Sequence, residues 1–179
     1  MSALPEPTAL DTRRFRDVLG HFPSGVVAVT TTTADGRAAG SVVGTFTSVS
    51  LDPPLVSFLV ARSSATFWMI RETGRFCANA LAGNQEPVSR RMSTRGGDKF
   101  EGVNWIQSPL GNPILDGIVA WVDCTVEQIV EVGDHHLVVG RVSDLNIESV
   151  RTPLLFFRGG YGDYLASATL VMDRLVGWW

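Results

Sequence analysis

A chain of 179 residues, 45% of them hydrophobic, can bury one sizeable core and is most simply a single domain over residues 1–179. A formal net charge of −3 excludes a general attraction to nucleic acid or anionic membrane, and no apolar run reaches the length of a membrane span. Met1–Pro7 has no apolar core of a secretory signal, and Cys77 and Cys124 have no C-x-x-C pairing, so a cytoplasmic protein with free buried thiols is expected.

In chain order, Asp11 or Thr12 caps a first helix that carries Phe15, Val18, Leu19 and Phe22 at helical spacing and ends at Pro23-Ser24-Gly25. Val26–Thr33 is β-branched almost throughout and reads as a strand, and Asp35-Gly36 is a hairpin signal. Gly40–Leu55 reads as one strand, a tight turn at Asp52-Pro53-Pro54 and the start of a second strand. The first of these strands is rich in small hydroxyls (Ser41, Thr45, Thr47, Ser48, Ser50) with Gly40 and Gly44 among them. Glycine within a strand marks a bulge or a close approach to the backbone. Hydroxyls and bare peptide groups suit a flat ligand with a polar edge, although an ordinary edge strand has the same composition.

Leu55–Ala61 is a buried strand, Ser63 or Ser64 caps a helix through Arg71 with Gly74 just beyond, and Arg75–Leu81 is another strand. Asn84 starts a helix bearing Arg90 and Arg91, and residues 93–117 form a long loop. Ile118–Val132 alternates, with Ile118, Ala120, Val122, Cys124 and Val126 on one face. Gly133-Asp134 turns the chain into His135–Val142, Leu154–Phe157 is the last strand, and Leu165–Trp179 has a weak helical pattern. About seven strands joined mainly by hairpins, with three or four short helices, predict a mainly β fold, an antiparallel barrel with peripheral helices.

Ser63-Ser64-Ala65-Thr66 offers hydroxyls and free N–H groups at a helix start, which suit a phosphate as well as simple capping. Arg90 and Arg91 diverge by about 100° on their helix, so one can reach a phosphate while the other stays in solvent. His135 and His136 point to opposite faces of a strand, and no H-x-x-H or H-x-H spacing occurs, so no metal site is expected. Neither G-x-G-x-x-G nor G-x-S-x-G is present, which leaves a Rossmann site and a protein nucleophile without support.

Several motifs, read together, resemble the flavin reductase-like family. They are Pro23-Ser24-Gly25-Val26, Thr45-Phe46-Thr47-Ser48-Val49-Ser50-Leu51-Asp52-Pro53-Pro54-Leu55, Phe76–Leu81 followed by Gln85, Asp98-Lys99-Phe100-Glu101-Gly102 and Gly133-Asp134-His135. The resemblance is collinear from about Phe15 to Tyr164. It is nearest to the short-chain reductases that serve two-component monooxygenases. It implies a split β-barrel that binds FMN or FAD as a homodimer, takes reducing equivalents from NADH or NADPH, and passes reduced flavin to a separate oxygenase component. Carried over by position, the strand with Val42, Val43, Gly44, Thr45 and Ser48 runs along the flavin ring. Ser63, Ser64 and Thr66 hold its phosphate or ribityl end. Asn79 and Leu81 flank it, with Arg90 or Arg91 and Phe100. Gly133, Asp134 and His135 form the nicotinamide motif, with His135 as the catalytic contact, and Tyr161 closes over the site. At Gly44 relatives often carry a polar residue, and Leu165–Trp179 is an extension outside the resemblance.

This implication agrees with the missing acid–base pair, because the two cofactors carry hydride transfer themselves once their rings are stacked. Two alternatives stay open from sequence. One is a flavin-binding electron-transfer or oxidase protein of the same barrel class that does not use NADH. The other is a non-enzymatic flavin- or haem-binding module.

Overall fold

The computed structural model describes residues 10–164, which form twelve strands and three helices. Helix α1 (Thr12–Leu19) precedes β1 (Ser24–Gly25), β2 (Val27–Thr32), β3 (Ala38–Val43), β4 (Thr47–Leu51) and β5 (Pro54–Ala61). Helix α2 (Ala65–Thr73), β6 (Arg75–Ala80) and α3 (Glu86–Met92) follow. The chain continues through β7 (Trp105–Gln107), β8 (Pro113–Leu115), β9 (Ala120–Val132), β10 (His135–Ile147), β11 (Leu154–Phe157) and β12 (Gly160–Asp163).

The main sheet has seven antiparallel strands in the order β3-β2-β6-β9-β10-β5-β4. β3 and β4 are consecutive in the chain yet occupy its opposite edges. Only Gly44–Phe46 connects them, and the four steps from Val43 to Thr47 reach at most about 14 Å, so the sheet curls until its edges nearly meet. Thr45 bridges the join: its Oγ1 accepts from Leu59 N at 2.8 Å and donates to Leu59 O at 3.3 Å. The single strand expected over Gly40–Leu51 is therefore two strands broken at residue 44. Gly44 lies beside β1, and an added Cβ would stand 2.8 Å from Ser24 Oγ, so a side chain here would have to turn that hydroxyl aside.

Two cores lie on the two faces of this sheet. The interior core holds Val29, Phe58, Phe76 and Val138, plugged by Phe67 and Ile70 of α2. The outer core holds Ala28, Cys77, Leu81, Leu115, Ile118 and Trp121, with Met92 at the end of α3. All six residues of β2 are buried because both of its faces are covered, which is why its sequence runs apolar and β-branched without alternating. On β9, Val122, Cys124 and Val126 share the interior core as expected, whereas Ile118 lies before the strand and packs in the outer one.

Caps form where the sequence places them. Asp11 accepts from Arg13 N at 3.0 Å, Ser64 accepts from Phe67 N at 3.3 Å, and Gly74 ends α2 with φ 66°. The loop 93–117 contains the β7–β8 hairpin, and β12 follows the strand expected to be last. The apolar face of α1 is not buried: Phe15, Val18, Leu19 and Phe22 are all exposed. The helical pattern of 165–179 lies outside the described residues.

Candidate active site

Strand β3 pairs only with β2, so its other edge is open. The carbonyl of Gly40 points off that edge and accepts from Thr66 Oγ1 at 2.9 Å and from Lys99 Nζ at 3.0 Å. N–H and C=O directions alternate along a strand, so Val42, two residues on, directs its own N–H and C=O off the same edge. The side chains of Val42 and Val43 pack into the outer and interior cores, which leaves only their peptide groups for a ligand. The Ser41 Oγ beside them is buried without a hydrogen-bond partner.

The start of α2 stands against the β9–β10 turn. His135 pairs with Ala61, and Arg62 N donates to Asp134 O at 3.1 Å, which sets Ser63 and Ser64 beside Gly133–His135. Arg62 is anchored by Glu131 at 2.7 Å. Gly133 has φ 58°, the left-handed conformation that glycine adopts at least cost. His135 Nδ1 lies 2.7 Å from Asp134 Oδ1. That bond, with the charge of the imidazole behind it, holds the Asp134 carboxyl below its usual range.

Three hydroxyls were expected to meet a phosphate, and two are spent inside the protein. Ser64 Oγ caps α2, and the buried Thr66 bonds Gly40. Ser63 is exposed, and the first N–H groups of α2 have no carbonyl partner within the helix. Thr45, expected to meet the flavin edge, has its hydroxyl on Leu59, and Ser48 lies exposed on β4 at the far edge of the sheet.

Asn79 and Leu81, expected to flank the ligand, are both 0% exposed. The Asn79 amide reaches the carbonyls of Ala28 and Pro113 and accepts from Leu115 N at 2.9 Å, so it ties β2, β6 and β8 together. A strand with both faces covered turns its polar residue into a core fastener, and neither side chain is presented to a ligand.

On the outer side of β3, Arg90 lies 5.1 Å over the Tyr161 ring and pairs with Glu86 at 2.7 Å. The Tyr161 hydroxyl meets Ser89 Oγ at 2.9 Å, so this ring is fastened to α3. Arg91 is 3.6 Å from Glu101, and Phe100 packs on the outer core against Trp105. Lys99 joins this side to β3: its Nζ donates to Met92 O at 2.9 Å as well as to Gly40 O. Burial pushes its ammonium pKa down. Lys99 had no role assigned from sequence beyond its place in Asp98-Lys99-Phe100 and in a local basic cluster with Arg90, Arg91 and Arg95, because the carbonyls it binds come together only in the fold.

The donor set fits a flavin nucleotide. Open-edge peptide groups match a ring edge that both donates and accepts, and a helix start with Ser63 matches a phosphate. Among the described residues, no group of three or more His, Cys, Asp or Glu is placed to hold a metal ion, and no helix is long and apolar enough to cross a membrane.

Comparison with known proteins points the same way. The flavin reductase like domain family matches residues 19–164. A flavin reductase of Pseudomonas putida is 47% identical over 89% of this chain and 94% of its own length. The reductase subunit of a flavin-dependent monooxygenase from Rhodococcus jostii is 44% identical over 86% of this chain and 78% of its own. The crystal structure of nitrilotriacetate monooxygenase component B from Mycobacterium thermoresistibile superposes with a TM-score of 0.84 at 42% identity, covering 92% of this chain and 95% of that one. An NADH:FAD oxidoreductase of Streptomyces globisporus, solved with NAD and FAD fragments, gives 0.83 at 30% identity, covering 88% and 95%. With an antiparallel split barrel, an open-edged β3 and a Gly-Asp-His turn beside it, this chain belongs to the flavin reductase like domain family and is a flavin oxidoreductase.

Proposed function

We propose that this chain uses NADH or NADPH to reduce FMN or FAD, works in the cytoplasm as a homodimer, and releases the reduced flavin to a separate monooxygenase component. One observation carries the reading: the β9–β10 turn, the start of α2 and the Gly44–Phe46 crossing meet around the β5 end. His135 pairs with Ala61, Arg62 N reaches Asp134 O at 3.1 Å, and Thr45 bonds Leu59.

When bound, the nicotinamide supplies the hydride and the flavin accepts it. The chain's residues position and shield. The Val42 peptide groups hold the ring edge, and Gly44 keeps the backbone bare beside it. Ser63 and the first turn of α2 take the phosphate, with Arg90 or Arg91 near. Tyr161 covers the outer side. Asp134 accepts from His135 Nδ1–H, which fixes the tautomer and leaves Nε2 to face the nicotinamide nucleotide. The homodimer is supported by the large apolar residues left exposed, Phe15 at 50%, Leu145 at 60% and Ile147 at 74%. The name of the Rhodococcus relative, a monooxygenase reductase subunit, supports the separate oxygenase.

Steady-state oxidation of NADH and NADPH with FMN, FAD and riboflavin in turn tests the reading. NADH consumption that requires added flavin is expected, with weaker binding of riboflavin, which has no phosphate. Anaerobic mixing behind a dialysis membrane tests release, since reduced flavin should build up on the far side. A protein that holds flavin but consumes neither nucleotide would be an electron-transfer or oxidase protein instead.

A further inference from the structure

A second basic site lies outside the residues discussed so far. A cleft of about 650 Å³ opens between α1 and the β11–β12 turn, lined by Arg13, Arg16 and Arg158, with Asp17 as its one carboxylate. That volume lies in the range of small-molecule sites. On a chain with net charge −3, these three arginines make no ion pair among the described residues. The cleft is held in shape: Arg158 N donates to Gly20 O at 2.8 Å, and His21 packs edge-on against Phe157 at 6.2 Å.

Arg158 has φ 51°, a left-handed conformation that strains a residue with a Cβ and that glycine adopts freely. The turn therefore sets a cation where a glycine is easier to build. Arg16 also links the cleft to the proposed nicotinamide turn: its charge is the smallest contributor, behind the bond from His135, to holding the Asp134 carboxyl down. Guanidinium groups converging from two elements suit phosphate oxygens, which they engage in paired, charge-assisted hydrogen bonds.

We propose that this cleft binds the phosphates of the adenylate half of a dinucleotide whose reactive ring lies in the active site. This rests on the reading under Proposed function. Two dinucleotides carry that chemistry, the nicotinamide nucleotide and FAD. The nearness of Arg16 to the Gly133–His135 turn favours the former.

The test compares wild type with a full-length Arg13→Gln/Arg16→Gln/Arg158→Gly variant. Glutamine is a good helix former at exposed positions, and glycine relaxes the 158 backbone, so the fold should be kept. KM is measured for NADH and for reduced nicotinamide mononucleotide, which has no adenylate half, and dissociation constants are measured for FAD and FMN. The expected result is a KM for NADH raised about fivefold or more at low salt, with the mononucleotide KM and kcat unchanged and the difference shrinking as salt is added. A rise for FAD with none for FMN would also support the cleft and would assign it to the flavin dinucleotide. Unchanged NADH and FAD values, or equal rises for the mononucleotides, would overturn it. Should wild type oxidise neither NADH nor NADPH, the functional reading fails separately, and the FAD-against-FMN comparison alone decides the cleft.

Discussion

The imidazole of His136 lies parallel to the ring of Phe67, with 4.0 Å between centroids and 6° between planes. His136 follows His135 directly but points to the opposite, interior face, where it is 5% exposed. Phe67 sits in the first turn of α2, so this stack braces the start of β10 against the start of that helix. The Nδ1 of His136 has no hydrogen-bond partner. A buried unpaired polar atom costs stability, and replacing it with an apolar group of the same shape removes that cost. His136→Phe should therefore match or exceed wild type in urea midpoint. His136→Ala should lose about 2–4 kcal/mol through the cavity it leaves. An alanine midpoint equal to wild type would show that the stack does not support the fold.

The Thr45 hydroxyl spans the barrel join. Thr45→Val keeps the shape but removes both bonds to Leu59, and should cost about 1–2 kcal/mol. Flavin affinity, followed by fluorescence quenching, should fall with it because Gly44–Phe46 loosens. Thr45→Ser should restore both. A valine variant of full stability and affinity would mean that the join is held elsewhere.

Gly140 is needed for space. An added Cβ would stand 2.4 Å from one Phe76 ring carbon and 3.0 Å from Cys124 Cβ. Gly140→Ala should destabilise by about 1–3 kcal/mol through overpacking. A paired Gly140→Ala/Phe76→Leu variant should recover part of that loss, and purely additive losses would contradict the contact.

Burial pushes the Cys124 thiol up to about 12 and that of Cys77 still higher, with the nearby Asp123 adding to both. The thiolate is the reactive form. Native protein at pH 8 should therefore leave both thiols unlabelled by a disulfide reagent over hours, and unfolding in guanidinium should release two. Rapid labelling of the native protein would show that the interior opens.

His135→Ala should raise KM for NADH or lower kcat about tenfold, with flavin dissociation constants nearly unchanged. The same change removes the bond that depresses Asp134. A carboxylate with a lowered folded-state pKa contributes stability above its unfolded value, and that contribution is lost as pH falls through the folded one. In the variant, Asp134 should thus titrate at higher pH, as read by carboxyl carbon NMR. An unmoved Asp134 would mean that the 2.7 Å contact does not persist in solution.

The sequence by itself determined the elements that local chemistry controls. Caps at Asp11 or Thr12 and at Ser63 or Ser64, Gly74 as a left-handed stop, the Asp35-Gly36 hairpin, the buried run of β5 and the Gly133-Asp134 turn all follow from side chains acting on their own neighbouring backbone. The collinear motifs pointed to the family for the same reason, since each keeps its chemistry within a few residues.

Only the tertiary structure decided what lies across the barrel join. Ser24 of β1 passes beside Gly44, the Thr45 hydroxyl is taken by Leu59, and Asn79 is drawn into the core by strands far away in the chain. Lys99 reaches Gly40 for the same reason. A hydroxyl, amide or ammonium that suits a ligand equally suits a buried carbonyl, and which one it meets is set by the curl of the sheet, which no short stretch of sequence encodes.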